Sequence, residues 1–487
     1  TVTALSYGNL TLSGSGTKTI TGLATINGNF TTAGTAATGA ASTGITIGGN
    51  VTLGSGTTFN AGGTLTHNVA GDWTNNGGTF TVGTSTINFN STTANQAING
   101  TAASQTFNNI TINKTGRTLS VGGSTTSLTA AAFTITAGTF TAPTTLNISG
   151  NFANSGTFTH NSGSVTFNGG SAQTLNSGGS SFNNVSVTNT VGGVSLATNN
   201  LTVAGTFTLN GAGGFSANGL TNTVTGATTL TSGTYTASTA AQTFNGGLTV
   251  NGGTLTGLSG TAGNITTTSL TLSSGTVSAP GSTGTFNVSG DWNRTGGTFT
   301  HNSGTVTFTG SSSNSISGSI TTAFSSITID KGNSISTVLE ATGPMSMTGN
   351  LILTNGLFRI THASASVQPG GSQTIASTAG LEINGGSLNG STGTITNNGL
   401  FRLISGTATV GTSTGNALLN QTGSTCDIQG GTYTGTGRIQ NTGGTFTQSA
   451  GTLILCTVGN TNGSIANFDM SASTNLTLSG GTIIIRL

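Results

Sequence analysis

Charge is almost absent from this sequence. Only 3% of its 487 residues are Asp, Glu, Lys or Arg, against about a quarter in an ordinary soluble domain. Nine basic and seven acidic residues leave a net charge of +2, so no Lys/Arg stripe exists to neutralise a phosphate backbone, which excludes nucleic-acid binding of the usual kind. Proline is rare (4) and cysteine nearly so (2). No window approaches the ~18 consecutive apolar residues of a membrane-spanning helix. Thr1-Val2-Thr3 lacks the basic start and apolar run of a signal peptide, so a leader has been removed or export takes another route. Three lysines in the whole chain suit an extracellular setting better than a cytosolic one.

What is present is Gly (82 residues), Thr (about a fifth of the chain), Asn, Ser and a 32% hydrophobic fraction. Thr, Val, Ile and Phe favour strands while Gly and Asn favour turns, which predicts an all-β protein able to bury a core. Its polar surface is then made of hydroxyls and amides. Asn-x-Thr triplets at Asn9, Asn29 and Asn50 match the glycosylation pattern, but an Asn- and Thr-rich chain also makes them by chance.

Strand-like runs recur every 8 to 12 residues or so between Gly-Gly, Asn-Gly and Ser-Gly turns. A longer unit appears three times. Gly71-Asp72-Trp73, Gly150-Asn151-Phe152 and Gly290-Asp291-Trp292 each lead to Gly-Thr-Phe-Thr and then to a third strand, Phe107–Ile112, Phe182–Val187 or Phe324–Ile329. Fixed-period self-similarity in short strands means stacked repeats, and the fold expected is an elongated parallel β-solenoid (β-helix). At about 20 residues per coil the chain would make roughly 24 coils and a rod on the order of 115 Å long. Phe, Ile, Val and Leu at alternate places point inward; Thr, Ser and Asn point outward or sit at corners. Like charges stacked at the ~4.8 Å strand spacing would repel, which accounts for their scarcity.

A change of composition near Pro344 divides the repeat-rich part, 1–344, from a C-terminal solenoid segment, 345–487. Six charged residues precede Asp330 and ten follow from it, and Gly356-Leu357-Phe358-Arg359-Ile360 is echoed by Gly399-Leu400-Phe401-Arg402-Leu403.

Few residues could carry chemistry. A β-helix enzyme acting on polysaccharides needs converging carboxylates, and the seven acids, Asp72, Asp291, Asp330, Glu340, Glu382, Asp427 and Asp469, are scattered. Asp330 and Glu340 are the one close pair, read as a solvated loop near Lys331. Asp72 and Asp291, replaced by Asn151 in the middle copy, read as corner hydrogen bonds with the following ring in the core; a sugar-stacking Trp is the rival. His160 and His301 share one phrase, with His67 in a related one and His362 apart; the repeated histidines, 141 residues from each other, are too far apart for shared metal ligation and read as polar turns. Gly211-Ala212-Gly213-Gly214 lacks the Lys and helix of a phosphate loop. Thr64-Leu65-Thr66 and Thr298-Phe299-Thr300 leave ice binding as an alternative. Cys426 and Cys456 have no metal spacing; a disulfide and two buried thiols both stay open. No catalytic residue, cofactor or metal ligand is assigned, and an enzyme is not expected.

The phrase Thr157-Phe158-Thr159-His160-Asn161-Ser162-Gly163-Ser164-Val165-Thr166-Phe167 and its copies resemble bacterial secreted β-strand-repeat or haemagglutinin-like surface proteins over most of residues 23 to 330. The resemblance implies a secreted adhesin, matrix protein or passenger domain on a parallel β-helix. The chain lacks an Asn-Pro secretion signature and an outer-membrane barrel segment, so it does not carry over the export route.

A solenoid exposes unpaired backbone and core at its ends unless they are capped. The first residues, Thr1, Val2, Thr3, Ala4 and Leu5, and the last, Ile483, Ile484, Ile485, Arg486 and Leu487, look like neither a helix nor a polar cap. The expectation is a subunit of an extracellular, cell-surface filament or sheath, joined head to tail to copies of itself by pairing of these terminal strands and serving adhesion or matrix. The alternatives are a monomeric adhesin binding surface glycans, a polysaccharide-active enzyme and an ice-binding protein.

Overall fold

The computed structural model describes residues 1–2, 5–22, 24–258, 263–390, 392–411, 415–457 and 467–486. Among them every regular element is a β-strand and none is a helix. The chain forms two compact units, Thr1–Ser238 and Thr239–Leu487.

Each unit is a parallel β-solenoid with three strands per coil. In the first unit one column stacks Ala24–Ile26, Ile45–Ile47, Thr66–Val69 and Thr86–Phe89. A second stacks Leu10–Leu12, Phe30–Thr32, Val51–Leu53 and Trp73–Asn75. A third stacks Ala37–Thr38, Thr58–Asn60 and Thr79–Thr81. The second unit repeats the plan, with Thr285–Val288, Thr305–Phe308 and Ser326–Asp330 in one column. Its second column holds Trp292–Arg294, Asn314–Gly318 and Val338–Ala341. Thr322–Phe324, Met345–Met347 and Ser366–Val367 lie in the third, which passes through Pro344 without a break. Coils run from 18 residues, Leu128 to Leu146, to 30, Phe446 to Leu476, mostly longer than the length expected from sequence, so there are about 21 turns rather than roughly 24.

The alternation of the sequence becomes the alternation of burial. In Thr305–Phe308, Val306 and Phe308 are buried while Thr305 and Thr307 are partly exposed. Like residues meet in register, Ile87 on Ile110 and Phe133 on Phe152, whose rings stack 5.7 Å apart. Such rows fill much of a narrow interior with side chains that bring no polar atoms to satisfy.

Corners are held by amides. Asn29 N donates to Asn9 Oδ1 (2.7 Å), Asn50 N to Asn29 Oδ1 (2.8 Å) and Asp72 N to Asn50 Oδ1 (2.8 Å), one rung per coil. The Asn-x-Thr triplets follow from this plan: a corner Asn, an inward apolar residue, an outward Thr. A buried ladder in the second unit does the same inside a turn, with Asn397 Nδ2 donating to Asn420 Oδ1 (2.8 Å) and Asn420 Nδ2 to Asn441 Oδ1 (3.3 Å). At two close approaches of the backbone only glycine fits. Gly100 and Gly318 have φ of 120° and 116°, and a Cβ there would lie 2.0 and 1.9 Å from the carbonyl oxygens of Asn75 and Arg294.

Candidate functional site

Five of the chain's charged residues fall in one row of the second unit. Glu340 is in register with Arg359, Arg359 with Glu382, Glu382 with Arg402, and Arg402 with Asp427, so the sign alternates on five successive coils. Arg359 Nε donates to Glu382 Oε1 (2.5 Å), Arg402 Nη1 to Glu382 Oε2 (3.2 Å) and Arg402 Nε to Asp427 Oδ2 (3.0 Å). Thr447 Oγ1, one coil further, donates to Asp427 Oδ1 (2.7 Å). The Glu382 side chain is 2% exposed and each arginine about a third. Alternation turns a stack that would repel into one that attracts.

Beside this row lies a cleft of about 340 Å³. Asn333, Ser334 and Ile335 line one part of it, and Ala379, Leu400 and Arg402 contribute residues from the stacked strands. It joins apolar surface, hydroxyls and one guanidinium. Glu382 and Asp427, the carboxylates nearest along the row, are committed to Arg402.

The three long repeats build three aromatic clusters. Trp73, Phe80 and Phe107 lie within 4.8–5.7 Å of one another by ring centroid, and so do Trp292, Phe299 and Phe324 (4.8–5.7 Å). The middle copy substitutes Phe152, Phe158 and Phe182 (4.9–5.4 Å). Both tryptophans are buried, so neither presents a face for a sugar to stack on. The preceding Asp or Asn makes the corner bond expected: Asp72, Asn151 and Asp291 each accept through Oδ1, at 2.8 Å, from the N–H of Ala97, Thr174 or Ser315 on the next coil.

The structure corrects several expectations. Asp330 and Glu340 end up in different columns, Asp330 accepting from Asn355 Nδ2 (2.7 Å) and Glu340 joining the charged row. Lys331 between them is not in a solvated loop; it is fully buried. His160, His301 and His362 are polar turns, their Nδ1 atoms accepting from the N–H of Ser162, Ser303 and Ser364. His67 is not. It occupies the strand Thr66–Val69, buried, with Nδ1 accepting from Ile45 N (3.2 Å), so that Nε2 carries the proton and donates to Ala61 O (2.9 Å). Cys426 and Cys456 are both free and buried. Cys426 stacks in register between Phe401 and Phe446, whereas Cys456 follows the strand Thr452–Leu455 of another column, which keeps them apart. Among the described residues no cluster of His, Cys, Asp or Glu could hold a metal ion.

Burial holds the His67 pKa below its ordinary 6.5, against the pull of the Ala61 carbonyl. The unfolded chain therefore binds a proton that the folded chain refuses, and stability falls as pH drops below that value. Unfolding of the first unit, followed by Trp73 fluorescence in a Trp292→Phe background, should shift to lower urea between about pH 7 and about pH 5. In His67→Leu that shift should shrink; an unchanged slope would contradict the assignment.

Of the terminal residues, Thr3, Ala4 and Leu487 lie outside the described residues. Val2 bridges to Ile20 and Leu5 is exposed. At the other end Thr482–Ile485 pairs with Thr452–Leu455, and Asn475–Leu478 with Thr445–Gln448. Ile485 lies over buried Leu455 and Leu476 over buried Phe446, yet Leu476, Leu478 and Ile485 are 46%, 49% and 46% exposed. Ile484 and Arg486 are exposed as well, and Ile483 half so.

No protein-family model, curated protein or solved structure matches the chain.

Proposed function

We propose that the chain is a structural subunit of an extracellular filament or sheath in which one coil stack continues into the next copy. The reading assigns no catalytic residue. It is supported by the exposed apolar side chains Leu476, Leu478 and Ile485 on the coil that holds Asn475–Leu478 and Thr482–Ile485. Whatever covers that coil must bring parallel strands with apolar residues facing in. The first coil of another copy, with Leu10–Leu12 paired to Phe30–Thr32 in the same parallel sense, is of that kind. Such a contact joins unlike surfaces and does not close on itself, so it builds a fibre. A surface of Thr, Asn and Ser with little Lys supports an extracellular setting.

Negative-stain microscopy and sedimentation of the 487-residue chain test this. Uniform polymers are expected, and they should be lost in Leu476→Lys/Ile485→Lys, whose changes fall on the bare coil. Isolated particles of the unaltered chain at high concentration would overturn the reading. They would favour the alternative supported by the cleft beside Arg402, a monomer that binds surface glycans with exposed Ile335 against a sugar's carbon face.

A further inference from the structure

The three long repeats differ together at two places. In the third copy Lys331 follows the third strand, fully buried, and its Nζ donates to Asn314 Oδ1 (2.8 Å) and Thr309 O (2.6 Å). A longer contact reaches Ser289 O (3.4 Å). In the first copy Lys114, equally buried, donates to Gln96 Oε1 (2.7 Å). In the middle copy the lysine is Asn189, whose Nδ2 donates to Gln173 Oε1 (2.8 Å). The corner acid follows the lysine: Asp291 with Lys331, Asp72 with Lys114, but Asn151 with Asn189. The corner bond does not require that match, since Asn151 makes it as well as either aspartate. The carboxylate accompanies the lysine.

An amine held against a carboxamide, out of water and beside a carboxylate, has the parts for amide exchange. We propose that Lys331 and Asn314 become joined by an intramolecular isopeptide bond. The neutral Nζ attacks Cγ of Asn314, the new Nζ–Cγ bond forms as Cγ–Nδ2 breaks, and Nδ2 leaves as ammonia with a proton taken from the amine. Nothing is oxidised or reduced. Thr309 O and Asn314 Oδ1 hold Nζ against the carboxamide whose Cγ it attacks, so the reaction is unimolecular and favoured by placement. Asp291, fixed to the N–H of the residue after Asn314, is the nearby group able to pass the proton. Burial lowers the Lys331 pKa, with Asp291 opposing, which brings the neutral amine within reach. Burial, against Asp72 and with Arg117, takes Lys114 down to about 8. The bond would tie two neighbouring coils of the second unit covalently, and it stands independently of the assembly reading.

Intact-mass spectrometry of the purified full chain decides the matter. The expected mass is below that of the sequence by one ammonia, or by two where Lys114 and Gln96 react likewise, with a branched peptide linking Lys331 to Asn314 after proteolysis. Lys331→Asn and Asp291→Asn each install the residue that the middle copy already uses, so both should fold, by circular dichroism, and lose the branched peptide. A folded chain of full sequence mass would overturn the proposal and leave Lys331 as a caged ammonium. Ammonia loss mapped to a linear succinimide at Asn314-Ser315 would overturn it equally.

Discussion

Replacing Glu382 with alanine should destabilise the second unit by about 2–4 kcal/mol. Its carboxylate is almost wholly buried and accepts from the guanidinium groups of Arg359 and Arg402, one coil on either side. Removing it leaves two cations facing each other across two strand spacings with nothing between them. Breaking a fully buried pair costs about 3–5 kcal/mol, and the value here is set lower because each arginine is about a third exposed and water partly resolvates it. Glu382→Arg should cost more, since it makes three cations consecutive. Urea unfolding followed by Trp292 fluorescence in a Trp73→Phe background gives the measurement. A loss below about 0.5 kcal/mol would place this row among ordinary surface ion pairs.

The second large effect belongs to the aromatic clusters. Trp292→Ala should cost about 3–5 kcal/mol, because the ring is fully buried against Phe299 and Phe324 and its removal opens a cavity that a stacked interior cannot close. The phenylalanine substitutions should then separate the two tryptophans. Trp292 Nε1 is buried without an acceptor, and Phe152 fills the equivalent place in the middle repeat, so Trp292→Phe should change stability by less than about 1 kcal/mol. Trp73 Nε1 donates to Gln105 Oε1 (3.1 Å), so Trp73→Phe leaves a buried acceptor unpaired and should cost about 1–2 kcal/mol more. Equal responses at the two sites would show that the indole hydrogen bond carries no weight.

These sites were unequally legible in the sequence. The strand period, inward Phe and Ile rows and corner Asp/Asn bonds were readable, because each follows from residues a few places apart. The charged row was not. Glu340, Arg359, Glu382, Arg402 and Asp427 become neighbours only once coil length is known, and Asp330–Glu340 drew attention simply by lying close along the chain. The missed signal was sign alternation at intervals of one coil. Lys331 and Lys114 were obscured by the general rule that lysines face water, though both occur only in the repeats that carry Asp-Trp. His67 resembled the turn histidines in its flanking residues; what differs is that its place in Thr66–Val69 points inward.

Strand pairing that links a residue to one mostly 20–25 positions away also governs how these variants respond to heat or denaturant. Neighbouring coils communicate and distant ones do not, so order can spread from several starting points, and a weakened rung can melt as a section while the rest persists. A single melting temperature would then average over sections, and loss of structure at Trp73 or Trp292 would report its own neighbourhood. Denaturant sensitivity should scale with the length of the section that opens, well short of the value for a 487-residue cooperative block.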